Sequence, residues 1–266
     1  MTENLAKLME TSKRTIAVAN DLLQACHQKE EKVYSHSGSA VSFFIVRGSE
    51  MFESFLILVE KERILDCALI LRSFLDMGMT LAYIFSKGIE ETESERRALL
   101  YLIEGDKDQL KLANSNRDAL RKSDKAIDER IDELKKRKEG LEAYYKSRYG
   151  DERPEFPFIE QRAILSNYEV MRKVYDQAYR ILSFVDHHSF FIGGNYVNMD
   201  KCEPLKEIDI PKHFPQLRLV VSLLSFKSMF IEILSVFNDV YHLGKEERIL
   251  EIRALQIAEL DSSKTE

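Results

Sequence analysis

The sequence has few of the residues that make tight turns. Its 266 residues include only ten glycines and five prolines, about half the usual share. This argues against sandwiches, barrels and propellers, which need frequent turns, and it excludes collagen-like or low-complexity material. Tryptophan is missing, but 15 Phe and 11 Tyr supply ample apolar volume for a core. The length allows one large domain or two small ones.

Long uninterrupted apolar runs are also missing. The most apolar windows, 41–59 and 217–240, both carry charged residues, and neither reaches the roughly 18 uninterrupted apolar residues of a membrane-spanning helix. The N-terminus, MTENLAKLMETSKRT, has neither the apolar run nor the cleavage site of a signal peptide. Cys26, Cys67 and Cys202 lie far apart and form no C-x-x-C, which is typical of buried thiols in a cytoplasmic protein. We therefore expect a cytoplasmic protein.

The overall charge argues against a general nucleic-acid coat. The net charge is −6 and the sequence pI is about 5.7, so only a local basic patch is left for phosphate contacts. The one such run is Lys135, Lys136, Arg137 and Lys138. A run of this kind is usually a solvated helix face. The alternative is an RNA-contacting patch, because phosphate contacts need a local excess of Lys and Arg.

Helical periodicity runs through most of the chain. The apolar spacing predicts helices over about 2–32, up to 60, 63–87, from 92, 166–188, 215–244 and 245–260. Thr92 with Glu95 and Ser166 with Glu169 have the spacing of capping boxes that open helices. A break is predicted at 35–39, and residues 190–214 are predicted to be irregular. Six to eight helices without strand signals predict an all-α helical bundle, a single domain over residues 1–266.

Residues 106–150 differ from the rest of this bundle because charges of both signs dominate there. Leu120, Ile127, Leu134 and Leu141 recur every seven residues, with Ile131 and Tyr145 at intermediate sites. This spacing predicts a charged helical arm, as a hairpin or short coiled coil, inserted within the domain. The alternative is a solvated helix that lies along the domain surface.

The segment YRILSFVDHHS, residues 179–189, contains the best candidate for catalysis. Arg180 and His187 are seven positions apart, close to two full turns of a helix, so the two side chains share a face. We expect them within about 8 Å of each other. Arginine offers a fixed positive fork for a phosphate, and histidine moves protons near neutral pH. This pair is what metal-independent RNA cleavage needs. The alternative is structural: Arg180 reaches solvent or pairs with Asp176, and His187 ends the helix as a satisfied polar residue.

A second constellation lies in the apolar helix that follows residue 63. Arg72 and Asp76 are i, i+4 and can pair on one face. Their apolar surroundings predict that the pair is buried and that Arg72 lies near the helix carrying Tyr179. Such a pair either fixes helix register as an internal salt bridge, or orients His187 and extends a phosphate site.

Metal binding has little support in the sequence. Asp239 with His242 is one acidic-x-x-His pair, and Glu50 with Glu53 adds two carboxylates. A di-iron bundle needs two acidic-x-x-His helices, and only one is present. His187 and its neighbour His188 cannot both face one site from a regular helix. We predict no metal and no cofactor.

Two motifs carry a resemblance to known helical proteins. They read Leu-Arg-Ser-Phe-Leu-Asp over 71–76 and Tyr-Arg-Ile-Leu-Ser-Phe-Val-Asp-His over 179–187. The chain resembles the HEPN superfamily, whose nucleases carry an Arg, four to six residues and a His near the end of a bundle helix. It looks closer still to an uncharacterised prokaryotic all-α family that pairs Leu-Arg-Ser-x-x-acidic with Tyr-x-x-Leu-Ser-x-x-x-His. The resemblance covers about residues 40–240 without the arm.

The resemblance implies a metal-independent endoribonuclease acting on single-stranded RNA in prokaryotic antiviral defence or a toxin–antitoxin system. It implies Arg180 and His187 as catalytic residues. The supporting residues would be Arg72, Asp76, Tyr179, Ser183 and His188. A homodimer would bring two such sites together, and an antitoxin or partner subunit would regulate them. The alternative is a non-catalytic helical interaction or regulatory module of such a system.

Overall fold

The computed structural model describes residues 3–29, 35–86, 89–120, 124–150, 155–180, 182–183, 197–198, 203–204 and 219–263. Within these residues the protein is an all-α bundle, as predicted. The helices are α1 (Glu3–Gln28), α2 (His36–Glu60), α3 (Ile64–Ile84), α4 (Glu91–Leu120), α5 (Lys125–Tyr149), α6 (Ile159–Leu165), α7 (Glu169–Val174), α8 (Leu219–Tyr241) and α9 (Glu246–Ser263). A π-helical turn, Tyr175–Tyr179, continues α7. Two-residue strands β1 (Val197–Asn198) and β2 (Glu203–Pro204) pair antiparallel.

Helix α8 is the centre of the bundle, because it packs against α1, α2, α3 and α9. The ring of Phe226 stacks on Phe74 at 3.6 Å between centroids and on Phe52 at 4.7 Å. Helices α3 and α8 approach so closely at Gly78 that a Cβ there would collide with the thioether of Met229. The core therefore depends on one glycine as well as on aromatic bulk.

Two core helices have the dimensions of membrane spans. By length and composition, α3 and α8 are each long and apolar enough to cross a membrane. Neither helix is an uninterrupted apolar run, because Arg72, Asp76 and Lys227 interrupt them. In the bundle, 72% of the apolar window of α3 and 56% of that of α8 is buried. Core helices of soluble proteins meet the same criteria, so this finding does not assign a membrane location.

Helices α4 and α5 pack against each other as a charged helical hairpin. Three of the periodic apolar positions of the predicted arm, Ile131, Leu134 and Tyr145, are buried on α5. Tyr145 joins Leu99 and Leu100 of α4 in a small separate core. The first half of α4 also packs on α2, so the hairpin is rooted in the bundle.

The basic run of α5 is largely paired with acidic side chains. Arg137 donates two hydrogen bonds to the buried carboxylate of Asp106. Lys138 lies 3.5 Å from Glu142, and Lys135 lies 4.0 Å from Asp132. These partners reduce the local excess of positive charge that a phosphate-binding patch requires.

The predicted capping box of Thr92 and Glu95 is wrong, because Glu95 caps a different helix. Helix α4 begins at Glu91, and the carboxylate of Glu95 accepts hydrogen bonds from the backbone N–H groups of His36 and Ser37 at 2.9 and 3.0 Å. These N–H groups belong to the first turn of α2, which begins where a break was predicted. A carboxylate at a helix N-terminus satisfies free N–H groups and complements the helix dipole.

The second predicted capping box also differs from the structure. Ser166 ends α6, and its hydroxyl donates to the carbonyl of Ala163 at 2.8 Å and accepts from the N–H of Tyr168 at 3.3 Å. Asn167 takes a left-handed conformation with φ +58°, which asparagine tolerates better than most residues. The chain therefore turns sharply between α6 and α7, and the predicted single helix begins only at Glu169.

Candidate functional site

The structure brings the two sequence motifs into direct contact. Arg72 extends from α3, and its Nη2 donates to the hydroxyl of Tyr179 at 3.3 Å. The Arg72 guanidinium carbon also lies 5.3 Å from the centroid of the Tyr179 ring, within the range of a cation–π interaction. Tyr179 is only 7% exposed. The prediction that Arg72 lies near the helix carrying Tyr179 is therefore confirmed.

The π-helical turn decides which side chains of the second motif point inward. The N–H of Arg180 bonds to the carbonyl of Tyr175, five residues back. The rings of Tyr175 and Tyr179 stack at 5.6 Å between centroids. After this turn Arg180 is exposed, Leu182 is buried and Ser183 is half-buried. Single π turns inside α-helices occur frequently at functional sites.

The predicted Arg72–Asp76 pair is wrong, because Asp76 takes a different partner. Nη1 of Arg162, on α6, lies 2.9 Å from Oδ1 of Asp76 and also donates to the hydroxyl of Thr80. Asp76 is half-buried, with 43% of its side chain exposed, and Arg72 is half-buried too. The two residues are less buried than predicted, because this face of α3 borders the partly open junction with α6 and the π turn.

Arg162 is held rigidly at this junction. Its side chain is 12% exposed, and its guanidinium carbon lies 5.0 Å from the centroid of the Phe156 ring. The Phe156 ring in turn contacts Tyr101 of α4 at 5.6 Å. The carboxylate of Asp76 is therefore surrounded by four parts of the fold: α3, α4, α6 and the π turn.

The tyrosines of this junction stay protonated well above neutral pH. Burial raises the pKa of Tyr101 to about 12, and the carboxylate of Asp76 adds to this while Arg162 opposes it. Burial also raises the pKa of Tyr179. The carboxylate of Asp76 raises this pKa further, and the positive charges of Arg72 and Arg162 lower it. Both hydroxyls are thus neutral hydrogen-bonding groups at physiological pH.

The remaining predicted residues are only partly described by the structure. His187 and His188 lie outside the described residues, so the predicted distance between Arg180 and His187 stays a prediction. Of the predicted supporting residues, Arg72 and Tyr179 are brought together, and Asp76 lies in the same junction through Arg162. Ser183 lies one turn further along the second motif.

Sequence reasoning missed Arg162 and Tyr101. Neither lies in a recognisable motif, and each is more than twenty residues from Asp76 along the chain. One signal was available: a charged residue in an apolar helix needs a partner. Arg162 is the only basic residue in the sequence 156–165, most of which is apolar. The pairing itself follows from the packing of α6 on α3, which short-range patterns did not predict.

An apolar groove lies on the other side of the same elements. It has a volume of about 730 Å³ and is lined by α3, α7, the π turn and α8. Leu71, Leu75 and Gly78 of α3 face it, while Arg72 and Asp76 lie in the junction described above. Tyr168, Val170 and Val221 at its border are 37–56% exposed. The groove has the size of a typical ligand or anchor pocket.

The residues considered as metal ligands do not converge in the described part of the chain. Among the described residues there is no group of three or more His, Cys, Asp and Glu side chains positioned to hold a metal ion. Glu50 is instead paired with Arg47 at 3.0 Å.

The fold and the junction together define an all-α bundle in which two helices, carrying Leu-Arg-Ser-x-x-Asp and Tyr-x-x-Leu-Ser, meet through an arginine and a tyrosine. Residues 38–204, more than half of the chain and including both motifs, match the sequence profile of the Family of unknown function (DUF5677). The chain belongs to this family. No curated protein matches the chain, and no solved structure does.

Proposed function

We propose that this protein is a HEPN-like, metal-independent endoribonuclease that cleaves single-stranded RNA in a prokaryotic defence or toxin–antitoxin setting. Arg180 and His187 are the catalytic residues. Arg72, Tyr179 and Ser183 support them from the adjoining junction, and Asp76 acts there through Arg162.

The proposed reaction is transfer of a phosphodiester to the neighbouring 2′-hydroxyl. His187 takes the proton of the 2′-OH, and that oxygen attacks the adjacent phosphorus. The bond from phosphorus to the 5′-oxygen breaks, which leaves a 2′,3′-cyclic phosphate and, after protonation, a 5′-hydroxyl. Arg180 stabilises the charge that develops on the phosphoryl oxygens.

One observation carries the proposal: the contact between Arg72 and Tyr179 joins the two motifs on which the resemblance depends. The exposure of Arg180 adds support, because a catalytic arginine must reach a substrate in solvent. The π turn immediately before Arg180 adds further support, since such turns are frequent at functional sites.

The test is cleavage of a fluorescently labelled single-stranded RNA by the purified protein. We expect His187→Ala to reduce the rate by about 100-fold or more, and the exposed His27→Ala, on α1, to leave it unchanged. EDTA should have no effect, and the products should carry 2′,3′-cyclic phosphates. Wild-type rates in His187→Ala, or loss of wild-type cleavage in EDTA, would refute the proposal.

A homodimer completes the proposed site. One histidine supplies one proton carrier, whereas the reaction benefits from a base at the 2′-OH and an acid at the leaving oxygen. A two-fold axis at the Arg180–His187 face supplies the second histidine, and two-fold dimers are the commonest assembly. Light scattering should give twice the 31.0 kDa of the chain. A monomer that cleaves RNA at full rate would contradict this part of the proposal.

We also propose a cytoplasmic location. Helices α3 and α8 are core helices that pack on each other, and α8 carries the fully buried Lys227. In cell fractionation the protein should stay in the supernatant after high-speed centrifugation. Retention in the membrane pellet after alkaline washing would contradict this.

The groove favours a second candidate function, a non-catalytic regulatory module that binds a partner such as an antitoxin. Its exposed apolar border residues offer a partner an anchor site. Under this candidate His187→Ala keeps the cellular phenotype, and Val170→Asp or Val221→Asp abolishes it. Under the nuclease proposal His187→Ala abolishes the phenotype.

A further inference from the structure

We infer that Arg172 is a second RNA-binding residue, which contacts a backbone phosphate about three to four nucleotides from the one held by Arg180. Both arginines are exposed on one ridge of α7 and the π turn, and Asp176 is exposed between them. This inference rests on the proposed function, because it adds a contact to the same substrate. It specifies that substrate as a strand of several nucleotides rather than a dinucleotide.

The π turn brings Arg172 and Arg180 to the same side of the helix. They are eight positions apart, so a regular α-helix would turn Arg180 by about 80° away from Arg172. The π turn between them holds one residue more than a regular turn, and this difference leaves the two side chains within about 20° of each other. Their shared exposure agrees with this alignment.

A ligand in solvent can reach both arginines. Among the residues that the structure describes, neither guanidinium has a hydrogen bond or an ion pair, although Asp176 is four positions from each. The adjacent Lys173 is different, because its Nζ lies 2.7 Å from Glu169 and its side chain lines the apolar groove. The planar fork of an arginine can donate two parallel hydrogen bonds to one phosphate. Lys173 therefore provides a matched residue for comparison with Arg172.

The spacing of the two arginines fits a nucleic-acid strand. Eight residues at about 1.5 Å each place their Cα atoms about 12 Å apart along the helix. A stacked strand carries one phosphate per about 3.4 Å, so about three to four nucleotides span this distance. The carboxylate of Asp176 lies between the two arginines in sequence and lowers the positive potential of the ridge. Neutralising Asp176 should therefore strengthen the binding of a phosphate strand.

The experiment measures RNA binding without cleavage. In a His187→Ala background, the dissociation constant of a labelled single-stranded RNA is determined by fluorescence anisotropy at several salt concentrations. We expect Arg172→Gln to weaken binding about fivefold. The slope of the logarithm of the binding constant against the logarithm of the salt concentration should fall in magnitude by about 0.7, the value for one phosphate on a single strand. The matched control Lys173→Gln should change neither quantity.

Three further measurements separate a phosphate contact from a role in folding. Arg172→Lys keeps the charge and should keep the salt dependence of the parent. Asp176→Asn should tighten binding about twofold, because it removes a charge that repels phosphate. A dinucleotide is too short to reach from Arg180 to Arg172, so Arg172→Gln and its parent should bind a dinucleotide equally. Circular dichroism checks that each variant is folded.

Several results overturn the inference. Equal salt dependence in Arg172→Gln and its parent shows that Arg172 makes no phosphate contact. The same loss in Lys173→Gln as in Arg172→Gln shows that only the total charge matters. A loss in Arg172→Lys as large as in Arg172→Gln shows that Arg172 serves the fold.

Failure of the proposed function gives a different pattern from failure of this inference. If the wild type cleaves RNA but Arg172→Gln binds as its parent does, the nuclease proposal stands and the inference fails. If the wild type cleaves no RNA but Arg172→Gln lowers the salt dependence as expected, the nuclease proposal fails and the binding ridge stands. A parent protein that binds no RNA overturns both.

Discussion

The fully buried ammonium group of Lys227 predicts that one carboxylate near the C-terminus stabilises the whole bundle. Lys227 lies on α8 with no exposed surface, and its Nζ donates to Glu259 of α9 at 2.7 Å and to the hydroxyl of Thr11 of α1 at 2.8 Å. Thr11 in turn bonds to Glu259. Three helices are therefore joined through one charge, and Glu259→Gln leaves that charge buried without its counter-ion.

The expected cost follows from this burial. Removing one partner of a buried ion pair typically costs about 3 to 5 kcal/mol, because the remaining charge loses its compensation. For a chain of this size that corresponds to a fall in Tm of roughly 6 to 15 °C. Adding Lys227→Met to Glu259→Gln should recover most of the loss, since an apolar side chain of similar length suits the site.

The same pair predicts a pH dependence. Burial lowers the pKa of Lys227, and Glu259 opposes this effect. Without the carboxylate the folded-state pKa falls further, while the unfolded chain keeps the ordinary value of 10.5. Between these two values the unfolded state binds more protons, so the stability of Glu259→Gln rises as the pH is raised. The double variant, which has no lysine here, should lack this rise.

Thermal melts by circular dichroism from pH 7 to pH 10 test both expectations. The control is Glu251→Gln, which removes an exposed carboxylate 3.6 Å from Arg248 on the same helix and should change Tm by only about 1 °C. If Glu259→Gln melts like this control, the buried charge is not balanced by Glu259, and the reasoning fails.

Three further predictions concern packing, acid stability and assembly. Gly78→Ala should destabilise the protein by about 1 to 3 kcal/mol in urea unfolding, because its Cβ collides with Met229; Gly140→Ala, in open space on α5, should instead stabilise it by about 0.5 to 1 kcal/mol. The hydrogen bond from Arg96 holds the pKa of Glu93 below its ordinary 4.5. The contribution of this ionised carboxylate to the stability of the fold is therefore lost as the pH falls below about 4.5. Glu93→Gln should flatten that part of the curve of Tm against pH. If the dimer forms as proposed, charge reversal at Arg180 should shift the mass measured by light scattering toward 31.0 kDa, and an unchanged dimer would place the interface elsewhere.

The sequence predicted features that depend on local chemistry. The all-α class, the end of α2 at Glu60 and the buried positions Ile131 and Leu134 of α5 follow from composition and periodicity. The approach of Arg72 to Tyr179 was also predicted, from the apolar surroundings of Arg72. Apart from that approach, these features need no knowledge of which helix lies beside which.

Two of the failures share one physical cause, the choice of a distant partner over a near one. Glu95 has the spacing to cap its own helix but caps α2, and Asp76 has the spacing to bind Arg72 but binds Arg162. Each carboxylate goes where a more buried or better oriented donor is available, and that depends on tertiary packing. The sequence YDQAY likewise contains no local pattern that predicts the π turn before Arg180, because the turn depends on which side chains pack into the core.

The π turn sets the rotational phase of the helix that follows it. A π turn holds one residue more than a regular turn, so winding the same residues, 175–179, as regular α-helix would rotate the residues that follow by about 100°. Leu182 would then leave the core, and the side of the helix now presented to solvent by Arg180 would change. The direction in which the second motif faces is therefore set by the winding of these five residues as well as by residue identity.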